Sequence, residues 1–323
     1  MFHNVLPHFR PSIWLTAVLA LFVVSSFPAL AQNNPNQIAI LKWYTANTSA
    51  SFAAQTAPWG MAFDGAHMWV ANAQSNSVSK FRVSDGANLG NFPLGHPAQL
   101  LAFDGASIWA SDGVTYKITK IRASDGAILW DHAVASTGGL IGMAFDGKSM
   151  WIGSSSGIID QLRISDGAVL SAWYIYCQPE GTLAFDGANV WAACPQTNQV
   201  AKQPVAGGNF SLQTVGNWPL YLAFDGSSMW VANNSGVTTV QKLRVSDMAI
   251  VATASVGGAP TGIAFDGVNM WAGTAANTLV KFRTSDGAVL ATTPSDGSFP
   301  LGIAFDGANI WSSNYQSATV SKY

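Results

Sequence analysis

Charged residues are scarce in this sequence. Asp, Glu, Lys and Arg make up 10% of the 323 residues, and the formal net charge is -2. Nucleic-acid-binding proteins usually carry a basic patch or stripe, which this composition does not provide. Apolar residues make up 49% of the chain, as expected for strands covered on both faces. We therefore expect an all-β protein that does not bind nucleic acid.

Glutamate and histidine are also rare. Glu180 is the only glutamate, no histidine follows His132, and the chain contains no Cys-x-x-Cys pair. A metal site needs several such ligands close together in space. The sequence therefore predicts no metal and no cofactor, and it favours binding over catalysis.

Only the N-terminal region has the pattern of a targeting segment. Arg10 precedes an apolar run over residues 13–24, and small residues at Ala29 and Ala31 fit cleavage before Gln32. This pattern predicts a signal peptide over residues 1–31, a short linker over 32–36 and a secreted or periplasmic protein. The run is short for a membrane span, so we expect no stable span after cleavage; a retained anchor is the alternative.

The chain has only two cysteines, Cys177 and Cys194. An even number of cysteines in an exported chain favours a disulfide between them. Two free buried thiols would fit the same composition.

A repeat of about forty residues dominates the rest of the chain. Phe-Asp-Gly followed by Trp occurs seven times, and successive copies lie 39 to 42 residues apart. The aspartates of the seven copies are Asp64, Asp104, Asp146, Asp186, Asp225, Asp266 and Asp306. Each copy contains four short β-type runs separated by turn residues, as in a propeller blade. The sequence predicts one seven-bladed β-propeller over residues 37–323, expected to be a monomer.

The two ends of the chain should complete one blade. The C-terminal run near Ala318–Lys322 matches a third strand, and the segment near Ile38–Thr45 resembles the fourth run of other copies. We therefore expect this N-terminal segment to pair with the C-terminal run and close the ring.

The repeated residues have structural explanations. Asp before Gly is typical of a tight turn, and the repeated tryptophans are expected to pack between blades. A second set of Asp-Gly turns carries an arginine three residues earlier, as in Arg82 and Asp85, which predicts exposed ion pairs of about 0 to 1 kcal/mol.

Binding residues are expected where the repeats differ, on the face that carries the loops between blades and between the second and third strands. An aromatic mouth with few polar groups is typical of a ligand pocket, although these side chains could also simply plug the channel. The candidate ligand-binding residues are Trp59, Gln99, Glu180, Trp218, Tyr221, Phe299 and Tyr315. His96, Asp112 and Glu180 share this face and are weak catalytic candidates.

Residues 260–272, Pro-Thr-Gly-Ile-Ala-Phe-Asp-Gly-Val-Asn-Met-Trp-Ala, and the other copies resemble the repeats of NHL and YVTN-type β-propellers. They are also similar to secreted propellers of the streptogramin (virginiamycin B) lyase and YncE-like groups. The lyase resemblance implies magnesium held near His and Glu side chains of late blades, which this chain lacks. The expected function is binding of a small molecule, peptide or protein. The alternatives are a lyase-like or lactonase-type enzyme and a cell-surface scaffold without a small ligand.

Overall fold

The computed structural model describes residues 49–133, 139–179, 181–236 and 238–323. Residues 48–323 form one compact unit. The expected signal peptide and linker lie outside the described residues. Within the described ranges, no helix is long and apolar enough to cross a membrane.

Seven antiparallel sheets of four strands form a ring, which confirms the predicted seven-bladed propeller. Blades 1 and 2 contain β2 (Pro58–Phe63), β3 (His67–Asn72), β4 (Ser77–Arg82), β5 (Asn88–Pro93), β6 (Leu100–Phe103), β7 (Ser107–Ser111), β8 (Lys117–Arg122) and β9 (Ile128–Ala133). Blades 3 and 4 contain β10 (Leu140–Phe145), β11 (Ser149–Ser154), β12 (Ile158–Arg163), β13 (Val169–Tyr174), β14 (Leu183–Phe185), β15 (Asn189–Cys194), β16 (Gln199–Pro204) and β17 (Ser211–Thr214), with a short 3-10 helix at Pro195–Thr197. Blades 5 and 6 contain β18 (Pro219–Phe224), β19 (Ser228–Asn233), β20 (Thr239–Arg244), β21 (Ile250–Ser255), β22 (Pro260–Phe265), β23 (Asn269–Thr274), β24 (Thr278–Arg283) and β25 (Val289–Pro294). Blade 7 contains β26 (Pro300–Phe305), β27 (Ile310–Asn314), β28 (Thr319–Lys322) and β1 (Ala50–Ala53).

An N-terminal strand completes the last blade, as predicted, but it is not the expected segment. Strand β1 pairs antiparallel with β28, and Phe52 lies opposite Val320. The segment 38–45 lies outside the described residues, and Ala50–Ala53 occupies the position assigned to it. Both segments are short and partly apolar, so the local sequence pattern could not show which of them forms the strand. The choice depends on pairing with β28, which lies some 270 residues away in sequence.

The Asp-Gly turns form as predicted, and each also fixes a tryptophan. In blade 2, Asp104 Oδ1 accepts hydrogen bonds from the backbone N–H groups of Ala106 and Ser107, which closes the turn. The second carboxylate oxygen accepts the indole N–H of the tryptophan five residues later. This bond measures 2.7 to 2.8 Å in all seven blades.

The tryptophans pack between neighbouring blades, which confirms their expected role. Six of the seven are fully buried, and Trp271 is half-buried. Trp109 of blade 2 packs against Met150 and Leu162 of blade 3. Trp311 of blade 7 packs against Phe81 of blade 1 in the same way, so the hydrophobic contact continues across the closure of the ring.

The outermost strands are protected by irregular pairing. In blade 1, Phe81 lies opposite Asn88 and Lys80 lies opposite Gly90, so Leu89 is an extra, bulged residue. Blades 2, 3, 5 and 6 have the same shift in register. A bulge twists an exposed edge and hinders pairing with another chain, which matters because Leu89 is 40% exposed.

Candidate functional site

The inner strands do not contact their neighbours equally around the ring. Four residues before the turn aspartate, blades 1, 3, 6 and 7 carry glycine. A Cβ added to Gly60 would lie 2.6 Å from the carbonyl oxygen of Gln99 in blade 2, and one added to Gly142 would lie 2.8 Å from that of Gly181. Glycine is therefore required where two inner strands approach this closely. The corresponding residues in blades 2, 4 and 5 are Leu100, Thr182 and Tyr221.

Leu100, Thr182 and Tyr221 line two cavities, a central well and a side notch. The central well has a volume of about 160 Å³, and the side notch has a volume of about 100 Å³. The side notch is lined by Trp59, Gln99, Leu100, Gly181, Thr182, Leu220 and Tyr221. The central well shares Trp59, Leu100, Thr182 and Tyr221 with it and adds Gly60, Met61, Leu101, Met143, Leu183, Gly262, Ile263, Leu301, Gly302 and Ile303. Their lining residues come from the inner strands of different blades and from the residues directly before two of those strands.

Three of the predicted binding residues, Trp59, Gln99 and Tyr221, line the side notch. The sequence reasoning missed Leu100, Thr182 and Leu220. Leu100 and Thr182 were detectable, because both interrupt the glycine pattern of the repeat.

Backbone contacts between blades position the walls of the notch. Gly60 N–H donates to the carbonyl of Gln99 at 2.8 Å, and Thr182 N–H donates to the carbonyl of Leu220 at 2.7 Å. Ser313 Oγ donates to the carbonyl of Trp59 and accepts the N–H of Gly302, so blade 7 holds the Trp59 backbone. Four of the seven lining residues of the notch belong to inner strands, and the other three, Gln99, Gly181 and Thr182, lie directly before strands β6 and β14.

An aromatic row continues from Trp59 along the rim. The rings of Trp59 and Tyr315 meet edge to face with centroids 5.6 Å apart, and Tyr315 lies 6.4 Å from Phe299 in the same manner. The predicted residue Tyr315 therefore lies next to Trp59, and the predicted residue Phe299 lies next to Tyr315. Neither lines a cavity.

Trp218 and Phe299 occupy a strained backbone conformation. Their φ angles are 57° and 59°, in the left-handed region that bulky residues rarely adopt, and each precedes a proline. An asparagine side chain compensates in both cases: Asn198 Oδ1 accepts the N–H of Trp218, and Asn277 Oδ1 accepts that of Phe299. Trp218 is 36% exposed on the rim and lines neither cavity.

The tyrosine and glutamine of the notch provide hydrogen-bond donors. Burial raises the pKa of the Tyr221 phenol above its ordinary value, so its hydroxyl stays protonated at neutral pH. Gln99 Oε1 accepts the N–H of Gly113 at 3.1 Å, which leaves the two Nε2–H groups to face other partners. Neither cavity has a charged residue among its described lining residues.

Of the weak catalytic candidates, the structure brings His96 and Asp112 together. His96 Nδ1 lies 3.7 Å from Asp112 Oδ2, and both side chains are buried. Glu180 lies outside the described residues. Both ring nitrogens of His96 already have partners: Nδ1 contacts the carbonyl of Pro97 at 3.0 Å, and Nε2 contacts Thr119 Oγ1 at 2.7 Å. Because no ring nitrogen faces open space, this geometry favours a structural role.

The equivalent positions of blade 1 support that interpretation. Asn72 donates to Ser79 Oγ at 2.8 Å, and Ser79 Oγ donates to Asn91 Oδ1 at 2.6 Å. Asp112, Thr119 and Asp131 of blade 2 stand at the same repeat positions. Blade 1 therefore contains an equivalent polar network whose side chains do not ionise. The His96 cluster of blade 2 is the ionisable counterpart of that network.

Two short motif matches are explained by the hairpins of blade 3. Residues 142–149 match the phosphate-loop pattern Gly-x-x-x-x-Gly-Lys-Ser, and residues 153–157 match Gly-x-Ser-x-Gly. Both motifs function at a turn from a strand into a helix. Here they cover the antiparallel hairpins β10–β11 and β11–β12. Neither provides a phosphate loop or a nucleophile elbow.

Cys177 and Cys194 are joined by a disulfide in the structure, and their Cα atoms are 5.7 Å apart. Both are buried. The bridge ties the segment before β14 to the end of β15, beside the rim. Among the described residues, no group of three or more His, Cys, Asp or Glu side chains is placed to hold a metal ion.

The seven blades and the repeated turns define the chain as a β-propeller repeat protein. No family model matches the sequence, and no curated protein matches it either. The assignment to NHL or YVTN-type repeats therefore stays a prediction.

Solved structures share the fold at low sequence identity. A streptogramin B lyase structure has a TM-score of 0.72 at 16% identity, over 85% of this chain and 96% of that one. The structure of U3-55K has a TM-score of 0.76 at 11% identity, over 85% and 97% of the two chains. The RRP9 WD40 repeats have a TM-score of 0.76 at 12% identity, over 85% and 96%. At these identities the similarity supports the fold alone.

Proposed function

We propose that this chain is an exported binding propeller, and that its binding site is the part of the rim formed by the central well, the side notch and the aromatic row at Trp59. The observation that carries the proposal is the break in the glycine pattern. The side chains of Leu100, Thr182 and Tyr221 stand at positions where other blades pack backbone against glycine, and all three line both cavities. A concave site on rigid strands, largely apolar with a few polar groups, is typical of ligand binding.

Backbone strain at the rim supports the same proposal. Left-handed aromatic residues such as Phe299 require about 1 to 3 kcal/mol of compensation elsewhere, and such strain tends to be kept at functional sites. Phe299 lies in the aromatic row that leads to Trp59.

The N-terminal pattern and the disulfide support export. Residues 1–31 have the order of a secretory signal, and disulfides persist in oxidising compartments. The proposed export is tested by expressing the full chain and determining the N-terminal sequence of the mature protein, which shows whether residues 1–31 are removed. A mature chain that begins at Gln32 is the expected result.

A thermal-shift screen of metabolites, short peptides and metal ions tests the site. A ligand that binds only the native state raises the melting temperature by mass action. Trp59→Ala should abolish the shift while the far-ultraviolet circular dichroism spectrum stays native. Tyr174→Ala is the matched control, because Tyr174 is a 57% exposed aromatic residue of an outer strand and lines neither cavity. A shift that survives Trp59→Ala would place binding elsewhere.

The second candidate function is a streptogramin lyase-like or lactonase-type enzyme. It is favoured by the structural similarity to a streptogramin B lyase, at 16% identity. Incubation with magnesium and a streptogramin B antibiotic, followed by mass spectrometry, tests it directly. A ring-opened product that disappears in Glu180→Ala would establish this function in place of simple binding.

A further inference from the structure

Lysines of five blades bind the backbone of the next blade. Each Nζ group donates to the carbonyl of the residue directly after the third strand, where the outer turn begins; the outer turn is the turn between the third and fourth strands of a blade. The five acceptors are Val83, Ala123, Ile164, Val245 and Thr284. A charge-assisted hydrogen bond therefore ties each of these outer turns to the preceding blade.

Blade 7 has no outer turn among the described residues. Its third strand, β28, and its fourth strand, β1, pair with each other but come from distant parts of the chain. Lys281 of blade 6 stands at the repeat position of the other lysines, and its Nζ lies 5.1 Å from the Trp271 ring centroid, as in the other blades. Within the described ranges it lies 3.8 Å from Asp266 but donates no hydrogen bond to blade 7. The bond between blades that this lysine would make is missing.

The interface between blades 5 and 6 provides a matched comparison. There Lys242 donates to the carbonyl of Thr284 at 2.6 Å. The Lys242 side chain is 12% exposed and that of Asp225 is 2% exposed, whereas the values for Lys281 and Asp266 are 31% and 14%. The charged pair of blade 6 is therefore accessible where that of blade 5 is covered.

The tryptophan and the outer strand of blade 6 are exposed as well. Trp230 of blade 5 is fully buried, whereas Trp271 is half-buried. In blade 5, Ala254 of the outer strand is buried, and a Cβ added to Gly287 in the outer turn of blade 6 would lie 3.1 Å from its nitrogen. All six residues of β25, Val289–Pro294, are exposed. The exposed set, here named the seam, consists of Asp266, Trp271, Lys281 and β25.

The charges of the seam favour a neutral acceptor. The Lys281 ammonium group has three donors, and the Asp266 carboxylate beside it balances its charge. A second carboxylate would be repelled by Asp266, whereas a peptide carbonyl accepts from Lys281 without adding a charge. Covering the exposed part of Trp271 would also remove apolar surface from water. The equivalent lysines, which all donate to carbonyl groups, show the same preference.

We infer that the seam binds a tight-turn loop of a partner polypeptide, which gives a backbone carbonyl to Lys281 and covers Trp271 in the place that an outer turn takes elsewhere in the ring. This occupant follows from the interfaces between blades, because an outer turn fills the same place next to Lys242. The site goes beyond the proposed function, since neither Lys281 nor Trp271 lines the central well or the side notch.

The outer turn of blade 6 provides the probe. Residues 283–288, Arg-Thr-Ser-Asp-Gly-Ala, fill the equivalent place beside Lys242, and Arg283 pairs with Asp286 inside the turn. This hexapeptide is flanked by two cysteines and closed by a disulfide, so that the turn is pre-organised. The chain has no free cysteine that could exchange with it.

The closed peptide is titrated into the full chain, and binding is measured by saturation-transfer difference NMR. A closed peptide of the same composition in scrambled order is the control and should bind about tenfold more weakly, because it lacks the turn that presents the carbonyl. Absence of binding by the turn peptide, or equal binding of the two peptides, would overturn the inference.

Lys281→Met tests the donor, because methionine keeps an apolar stem but has no ammonium group. It should weaken binding of the turn peptide about tenfold, as expected for one lost hydrogen bond from a charged donor, while the far-ultraviolet circular dichroism spectrum stays native. Lys148→Met is the matched control, since Lys148 is an exposed lysine on a turn of blade 3, and it should bind like the parent chain. Unchanged binding in Lys281→Met would show that the peptide binds elsewhere and that the inference is wrong.

A second copy of the chain is the competing occupant. Sedimentation velocity over a range of concentrations should show a monomer for the parent chain. A dimer that dissociates in Lys281→Met would mean that a second copy fills the seam, and the inference of a partner loop would then be wrong. These measurements do not involve the notch, so their failure would leave the proposed function standing.

Discussion

Asp104 Oδ2 accepts the indole N–H of Trp109 at 2.7 Å, so a residue that closes a surface turn also holds a fully buried tryptophan of the interface between blades 2 and 3. Lys120 completes the arrangement. Its Nζ lies 2.8 Å from the Asp104 carboxylate and 5.1 Å from the Trp109 ring centroid, and it donates to the carbonyl of Ile164 in blade 3. The three residues together connect one blade to the next.

Parts of this arrangement recur around the ring. A lysine nitrogen lies 2.8 to 3.8 Å from the turn aspartate in blades 2, 5 and 6. A lysine lies over the tryptophan ring, 5.0 to 5.9 Å from its centroid, in six blades. In blade 3, Gln161 stands opposite Trp151 instead and binds Ser149 and Ser171 within its own blade. In blade 6, Lys281 lies 3.8 Å from Asp266, and among the described residues it makes no hydrogen bond to blade 7.

Asp104→Asn should lower the free energy of unfolding by about 1 to 3 kcal/mol, because its amide nitrogen cannot accept from Trp109 or Lys120. Asp146→Asn is the matched comparison in blade 3, where no lysine contributes, and its loss should be smaller. Urea denaturation followed by tryptophan fluorescence measures both. Equal losses would show that the lysine contact adds nothing to stability.

The turn carboxylates should make stability depend on pH in the acid range. Burial alone would raise the pKa of Asp104, but hydrogen bonds from Lys120 and Trp109 outweigh it and hold that pKa below its ordinary value. The pKa values of Asp64, Asp225, Asp266 and Asp306 are also lowered, because hydrogen bonds from the tryptophan and from backbone N–H groups outweigh the effect of burial.

A lowered pKa in the folded state stabilises the protein above the unfolded value of about 3.9, and this contribution is lost as the pH falls through the folded pKa. Urea midpoints should therefore be constant from pH 7 to about pH 5 and decrease below about pH 4. Asp104→Asn should show a shallower decrease than the parent chain. A parallel decrease in both proteins would exclude Asp104 as a source of the dependence.

The disulfide should stabilise the rim. The bridge closes a loop with a sequence separation of 17, for which chain entropy predicts about 3 kcal/mol. Replacing Cys177 and Cys194 together by Ala should lower the melting temperature, and reduction of the parent chain should have a similar effect. Mass spectrometry of the purified protein without reductant should show no alkylatable thiol. Two reactive thiols would contradict the bridge.

Removal of strand β1 should open the ring. A chain that begins at Thr48 keeps every strand of the seven blades and should melt like the full chain. A chain that begins at Ala54 loses the partner of β28 and the Phe52 ring, which stacks on Trp311 at 5.9 Å. It should melt at a clearly lower temperature. Equal melting of the two truncated chains would show that β1 does not close the ring.

The sequence by itself determined the number of blades and the local role of the repeated residues. Turn chemistry depends only on neighbours in the chain, so Asp104 and Gly105 predict a tight turn from two adjacent letters. Arg82 and Asp85 lie three residues apart in sequence, and this spacing predicted an exposed ion pair. In the structure, Arg82 Nη1 lies 2.9 Å from Asp85 Oδ2, and both side chains are about half exposed. The forty-residue period of the sequence likewise shows that the chain contains seven copies of one structural unit, and no tertiary information is needed to see this.

Only the tertiary structure decided the features that join distant blades. Ala50–Ala53 rather than residues 38–45 completes blade 7, because the choice between two short partly apolar segments depends on the edge of β28. The bond from Lys120 to Ile164 crosses 44 residues, and the side notch brings Trp59 beside Leu220. Repeats specify their own strands and turns, but the gaps between blades depend on which side chains face each other across the ring, and that pairing exists only once the ring has closed.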